Sequence, residues 1–281
     1  MQTNLPLLAG AQLRALRRVY DGIGFLNQYN LSSIVPNTLR IATFNIHKGF
    51  SHFNAHFSLH QQRELLRKLH ADIIFLQEVQ DEHVQKSVQH KTWPQNGQAE
   101  FLADSIWQDY AYGKNSVYPA GHHGNALMSK FPIMRFNNVD ISAHKTEQRG
   151  FLHSEIDRQG TTIHTFCVHL GLFANWRRSQ LQILTHYIER HVPANAPLII
   201  AGDFNDWSGR GGRSFATHLH LKEVFESHHG KPTRSFPSWL PMLRLDRIYV
   251  RNLTVKHAEI QAGLKLLKVS DHAILTATLS L

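Results

Sequence analysis

Cysteine is nearly absent from this sequence. Cys167 stands alone among 281 residues, which excludes an internal disulfide and any Cys-rich zinc site. Long apolar runs are missing as well: no stretch approaches the roughly 18–20 residues that a bilayer-spanning helix needs. The first residues carry no basic segment, and their short apolar stretch precedes Arg14, Arg17 and Arg18 instead of following them, so no secretory leader is expected. Acid is scarce relative to base. Thirty Lys and Arg face 21 Asp and Glu, a formal charge of +9. The expectation is a cytoplasmic protein, at most peripheral at a membrane, whose partner is anionic: nucleic acid or an acidic phospholipid surface.

The sequence is rich in other respects. Hydrophobic residues make up 42 % and charged residues 18 %, which suits a folded domain and argues against disorder. There are also 21 histidines, whose side chains titrate near pH 6.5. Residues 1–37 read as a basic amphipathic extension, with Leu13, Leu16, Tyr20, Ile23 and Leu26 at helical spacing between arginines. Residues 38–281 show no repeat or low-complexity linker and read as one domain. Strands are expected at 39–47, 72–79, 125–129, 151–156, 162–170, 198–204, 245–250, 255–261 and 273–279. Helices are expected at 58–69, with Ser58 as N-cap, and at 100–110 and 176–190. Many strands and few helices imply an α/β layered fold.

Polar residues recur at the ends of these apolar strands. Asn45 and His47 end T-F-N-I-H, Glu78 ends F-L-Q-E-V, and His169 ends F-C-V-H-L-G. Asp203 and Asn205 end L-I-I-A-G-D-F-N-D. Asp246 opens L-D-R-I-Y-V, and Asp271 with His272 opens S-D-H-A-I-L. Ligands of sheet proteins bind where strands end and loops supply the chemistry. One carboxylate after a strand is usually a turn or helix cap; six sites obeying one rule point to a shared centre. Oxygen donors without cysteine suit Mg²⁺, Mn²⁺ or Ca²⁺, and histidines paired with carboxylates suit proton transfer near neutrality.

With G-N-A-L-M-S-K-F-P-I added, this ordered set resembles the endonuclease/exonuclease/phosphatase superfamily over roughly 38–281. The resemblance implies a four-layered α/β sandwich, two packed mixed sheets flanked by helices, and Mg²⁺- or Mn²⁺-dependent attack of water on a phosphoester. It also implies roles. Glu78 would be the main metal carboxylate, assisted by Asn45 and Asp271. Asp203 would orient or deprotonate water and Asn205 would hold the phosphate. His272, paired with Asp246, would contact the same phosphate or act as base, and His169 would protonate the leaving oxygen. Asn125, Arg149 and Tyr118 would border the phosphate pocket. A binding module with a dead site would lack Glu78, Asp203, Asp246 or His272, and all four are present.

Substrate must be argued from the walls of the site. Repair nucleases of the exonuclease III type carry G-W-R before the second-last Asp, where this chain has M-L-R. The segment 234–244 offers Phe236, Trp239, Leu240 and Met242 between Arg234 and Arg244, a rim able to stack on bases or enter a lipid headgroup layer. Residues 208–214 offer Arg210 and Arg213 among glycines that would let a phosphate approach the backbone. DNA is the leading expectation and an anionic phospholipid the runner-up, since both reward Lys and Arg.

Overall fold

The structure, a computed structural model, describes residues 38–281; the expected basic extension over 1–37 lies outside the described residues. Two parallel strand pairs set the frame. β1 (Thr38–Asn45) lies parallel to β2 (Ile73–His83), and the connection between them carries helix α1 (Leu59–Lys68). The remaining elements in chain order are α2 (Val84–Gln89), α3 (Gln98–Ala103), β3 (Asp109–Tyr118), β4 (Gly121–Ser129), β5 (Ile133–Asp140), β6 (Gly150–Arg158) and β7 (Thr161–His169). After them come α4 (Ala174–His191), β8 (Leu198–Asp203), α5 (Arg210–His218), β9 (Lys222–Glu223), α6 (Val224–His229), β10 (Asp246–Arg251), β11 (Thr254–Gln261) and β12 (Ile274–Ser280). β7 and β8 form the second parallel pair, joined through α4 as parallel strands require.

One sheet has the order β11-β12-β1-β2-β4-β3 and the other β5-β6-β7-β8-β10-β9, with every pairing but those two antiparallel. Side-chain alternation builds the layers. Leu39, Ile41, Ile73 and Phe75 meet Cys167, Ile199, Ala201 and Ile248 between the sheets. Their neighbours Ala42, Phe44, Ile74 and Leu76 face outward onto Leu59 and Leu66 of α1 and Leu102 of α3. Phe166, Val168 and Ile200 face outward onto Leu181, Leu184 and Ile188 of α4. The result is two mixed six-stranded sheets flanked by helices, the four-layered sandwich expected from the sequence. Cys167 is a buried core residue; burial pushes its thiol up to about 12, so it is no nucleophile.

Local readings needed correction where tertiary contacts overrode them. The helix expected over 100–110 stops at Ala103, because Asp104 turns to φ 49° and the chain from Asp109 pairs with Ser129 as β3. Ser58 does not cap α1; its hydroxyl donates to the carbonyls of Gly49 and Val269. The glycine-rich basic segment over 208–214 is helical from Arg210, with Gly212 close to the Tyr249 hydroxyl.

Burial also sets an acid limit on stability. His153 and His123 are pushed down to about 4, by burial first and then by His164 and Lys48 respectively. An unfolded imidazole binds a proton near pH 6.5 while these do not, so stability is fully present above that pH and is lost as pH falls towards 4. For His153, only 5 % exposed, the loss is up to about 3 kcal/mol. Calorimetry between pH 7 and 4 should show the melting temperature falling within this window, and His153→Gln should flatten part of the fall. An unchanged midpoint down to pH 4 would contradict the assignment.

Candidate functional site

Strand direction explains why distant residues meet. The C-terminal ends of two parallel strands share one edge with the N-terminal ends of their antiparallel neighbours. Across the second sheet, His169 at the end of β7 pairs with Asp203 at the end of β8, and Asp203 pairs with Asp246 at the start of β10. Asn45 ends β1, and His272 lies just before β12. Gly202, at φ 148°, lets the last residues of β8 pass the carbonyl oxygen of Val168, with which a Cβ would collide.

Glu78 reaches this edge through a bulge. Ile74, Leu76 and Val79 share the helix-facing side, so two residues, not one, separate the last pair. The pairing with β4 shifts at that point and Glu78 adopts φ 56°. The bulge turns its carboxylate away from the helices, the re-aiming such irregularities provide beside functional sites. Asn205 at φ 49° is also left-handed, as are His47 and Lys48 at 48° and 57°, so four such residues sit in one site.

Asp203 is the centre of the polar network. Its Oδ1 accepts the backbone N–H of Asn205 at 2.9 Å, and its Oδ2 accepts Asn45 Nδ2 at 3.1 Å. His169 Nε2 and His272 Nε2 lie 3.6 and 3.8 Å from that same oxygen. His272 Nδ1 donates to Asp246 Oδ2 at 2.9 Å, which fixes its tautomer and turns Nε2 towards Asp203. Burial alone would lower His272, but the Asp246 and Asp203 carboxylates overcome it and push it up to about 10. Burial raises the Asp203 carboxyl, against the pull of His272. Burial, with Arg149 nearby, holds His169 well below its ordinary value, so that ring is neutral at pH 7.

Several oxygen atoms next to this network could hold a divalent cation. Glu78 Oε1 accepts from Asn45 Nδ2 at 3.4 Å, while its Oε2 is buried without a hydrogen bond and has only the Lys48 ammonium at 3.3 Å. Burial opposes ionisation of Glu78, yet Lys48 and the facing histidines hold its carboxyl below the usual range. Asn45 Oδ1 accepts one N–H, from His47, and retains a second lone pair. Asp271 Oδ1 lies 3.7 Å from His47 Nδ1 and 3.4 Å from Ser270 Oγ. These are hard oxygen donors suited to Mg²⁺ or Mn²⁺. Asp203, Asp246 and His272 also offer ligand atoms within 4.8 Å of one another, although Asp246 already accepts the His272 Nδ1 proton at 2.9 Å.

The outlying residues are placed less directly. Both N–H groups of Asn125 go to carbonyls, of Gly150 at 2.8 Å and Cys167 at 3.3 Å, so Asn125 braces one sheet against the other. Arg149 binds the carbonyls of Leu170 and Gln148 and the Glu147 carboxylate. The Tyr118 hydroxyl is bonded by Gln80. Arg210 opens α5 beside a cavity of about 770 Å³ that also takes in Trp207 and Arg178. Trp239 stands 37 % exposed at the tip of its loop. The base of that loop walls the site: the Phe236 ring lies 5.1 Å from the His272 ring. Sequence reasoning missed Lys48 and Ser270. Ser270 Oγ donates to the Asn45 carbonyl across 225 positions, a contact with no local trace.

Comparison with known proteins agrees with this geometry. The model of the Endonuclease/Exonuclease/phosphatase family matches residues 42–272. The uncharacterized protein YbhP of Escherichia coli strain K12 is 42 % identical over 246 residues, covering 87 % of this chain and 97 % of that one. Among solved structures, TDP2 of D. rerio complexed with a single-strand DNA product superposes with a TM-score of 0.60 at 17 % identity, over 87 % of this chain and 99 % of its own. The mannosyl-6-phosphatase Bt3783 of Bacteroides thetaiotaomicron VPI-5482 gives 0.65 at 16 % identity, over 86 % and 100 %. The family match over most of the chain, on a sandwich whose strand ends gather these carboxylates and histidines, makes this protein an enzyme of the endonuclease/exonuclease/phosphatase family.

Proposed function

We propose that the protein is a Mg²⁺- or Mn²⁺-dependent phosphodiesterase acting on DNA. The observation that carries the hydrolytic reading is the Asp246–His272 pair aimed at Asp203, beside the uncommitted Glu78 oxygen. Glu78, Asn45 and Asp271 would hold a divalent ion, which would supply positive charge to the phosphoryl oxygens and make water more acidic. Asp203 Oδ2 accepts the proton of the attacking water. The second N–H of Asn205, whose first is used on Leu170, holds a phosphate oxygen. His272 is the charged imidazole, and its Nε2–H faces the same phosphate. The neutral His169 donates a hydrogen bond to the leaving oxygen, a weaker part than delivering its proton.

DNA is supported by the net charge of +9 and by aromatic groups on connections at the site end. Phe173, Trp207 and Trp239 are exposed there, and the Arg177 guanidinium lies 4.9 Å over the Trp207 ring. Aromatic faces with arginine suit stacking of unpaired bases. A second reading has its own observation. Leu172, Leu240, Met242, Leu243 and Leu264 are exposed on the same connections, and aliphatic tips among basic residues suit an anionic phospholipid surface. Among the described residues no helix is long and apolar enough to cross a membrane.

A panel of plasmid DNA, single strands, RNA and phospholipid vesicles, each with Mn²⁺ and with a chelator, separates these readings. We expect DNA cleavage that the chelator abolishes, and Glu78→Gln should lose about 10²-fold or more in rate and need more metal. Turnover of vesicles alone would reverse the order of substrates. Cleavage unaffected by chelation would remove the metal from the mechanism.

A further inference from the structure

On the outer face of the second sheet, away from the strand ends, three metal-capable side chains converge. His153 and Glu155 of β6 project from alternate positions, and His164 of β7 pairs across from Glu155. All three are nearly buried. His153 Nε2 lies 3.1 Å from His164 Nδ1, His164 Nδ1 lies 3.8 Å from Glu155 Oε1, and the three ligand atoms fall within 4.8 Å of one another. Ligands bonded tetrahedrally to zinc at its usual bond lengths stand about 3.4 Å apart, so these separations bracket what an ion needs.

The atoms behind the ligands are arranged for the same purpose. The far nitrogen of His153, Nδ1, lies 3.3 Å from the Tyr187 hydroxyl, which already accepts Asn137 Nδ2 at 3.1 Å. The second lone pair of that hydroxyl is able to accept a proton carried on His153 Nδ1, the tautomer that leaves Nε2 free for an ion. The two oxygens of Glu155 are divided. Oε2 is held by Arg135 Nε at 2.7 Å, and Oε1 is left facing His164. A cavity of about 380 Å³, lined by Arg135, His153, Glu155, Tyr187, Arg190 and His191, opens onto His153 and Glu155 and has the volume to admit water.

We propose that His153, Glu155 and His164 form a second metal site, separate from the phosphoester centre, that binds a borderline-soft divalent cation such as Zn²⁺. Two imidazoles and one carboxylate select such an ion over Mg²⁺, which prefers all-oxygen surroundings. His164 carries its proton on Nε2 when the ion is bound. Because the ligands join β6 to β7 beneath the end of α4, where Tyr187 sits, the ion pins the helix layer to the sheet.

The test uses the full chain carrying Glu78→Gln and Asp203→Asn, which weakens the other cation-binding groups. It is stripped with a chelator and dialysed against Zn²⁺ in excess Mg²⁺. One Zn²⁺ per chain is expected, with a rise in melting temperature, and Co²⁺ in its place should give the visible absorption of a tetrahedral site. His164→Gln should remove the bound ion. Glu155→Gln should weaken it at least tenfold, and Tyr187→Phe, which touches no ligand atom, about tenfold. If His164→Gln does not fold, the Glu155→Gln and Tyr187→Phe affinities decide in its place. Unchanged stoichiometry and affinity in these variants, or no Zn²⁺ bound in the presence of Mg²⁺, would overturn the site.

Discussion

Asp203→Asn is expected to lower the rate of phosphodiester hydrolysis by about 10³-fold or more while leaving the protein folded. Asp203 Oδ2 faces Asn45, His169 and His272 together, and the proposed mechanism assigns it the proton of the attacking water. An amide there cannot accept that proton. Folding should survive, since the amide oxygen still accepts the Asn205 N–H at the Oδ1 position. The new NH₂ group would face Asn45 Nδ2, donor against donor, which costs about 1–3 kcal/mol. A melting temperature lowered by several degrees with a native circular dichroism spectrum is therefore the expected physical state. A folded variant with wild-type turnover would remove Asp203 from the mechanism.

Asp246→Asn should cost about 10²–10⁴-fold in rate and also show itself in the pH profile. In the native protein Asp246 and Asp203 keep His272 charged up to about pH 10. Without the Asp246 charge, burial dominates and His272 loses its proton at lower pH, so the alkaline limb of activity moves down. Stability follows the same sign. A raised imidazole pKa stabilises the fold fully below about 6.5 and ceases to do so as pH rises through 10. The variant should be less stable by about 3–5 kcal/mol in the lower range, as when one partner of a buried pair is removed. That gap should narrow towards pH 10. Equal melting curves at pH 6 would show that the pair contributes nothing.

Parts of this site could be read from the chain alone for a specific reason. Asn45, His169, Asp203 and Asp246 close or open apolar runs buried on both faces, and a polar group there has to be used. His272 and Asp271 follow the same rule at β12. The phosphate-pocket residues were harder. Asn125 and Arg149 sit in matching local motifs; Asn125 gives both side-chain N–H groups to the Gly150 and Cys167 carbonyls, while Arg149 bonds the Leu170 carbonyl and the Glu147 carboxylate with N–H groups to spare. Nothing in the neighbourhood of either residue announces those carbonyls. The segment 208–214 reads from the sequence as a basic element rich in glycine; that Asp206 accepts the N–H groups of Gly209 and Gly212 and so anchors the start of α5 is visible only in the fold.

The histidines divide in the same way. Their number was plain from composition, while their work was not. His272 is charged because Asp246 bonds it directly and Asp203 adds to the pull, His169 is neutral because burial and Arg149 outweigh the carboxylates near it, and His153 and His164 meet on a face that only sheet pairing creates.

The sequence by itself determined the layered α/β fold, the residue types of the catalytic edge and the family, because apolar periodicity and ordered strand-end motifs are local properties. The tertiary structure alone decided which way Glu78 points, which imidazole is charged and which donors remain free for a substrate. Those depend on a bulge in β2, on strand register and on burial, and each is a relation between residues far apart in the chain.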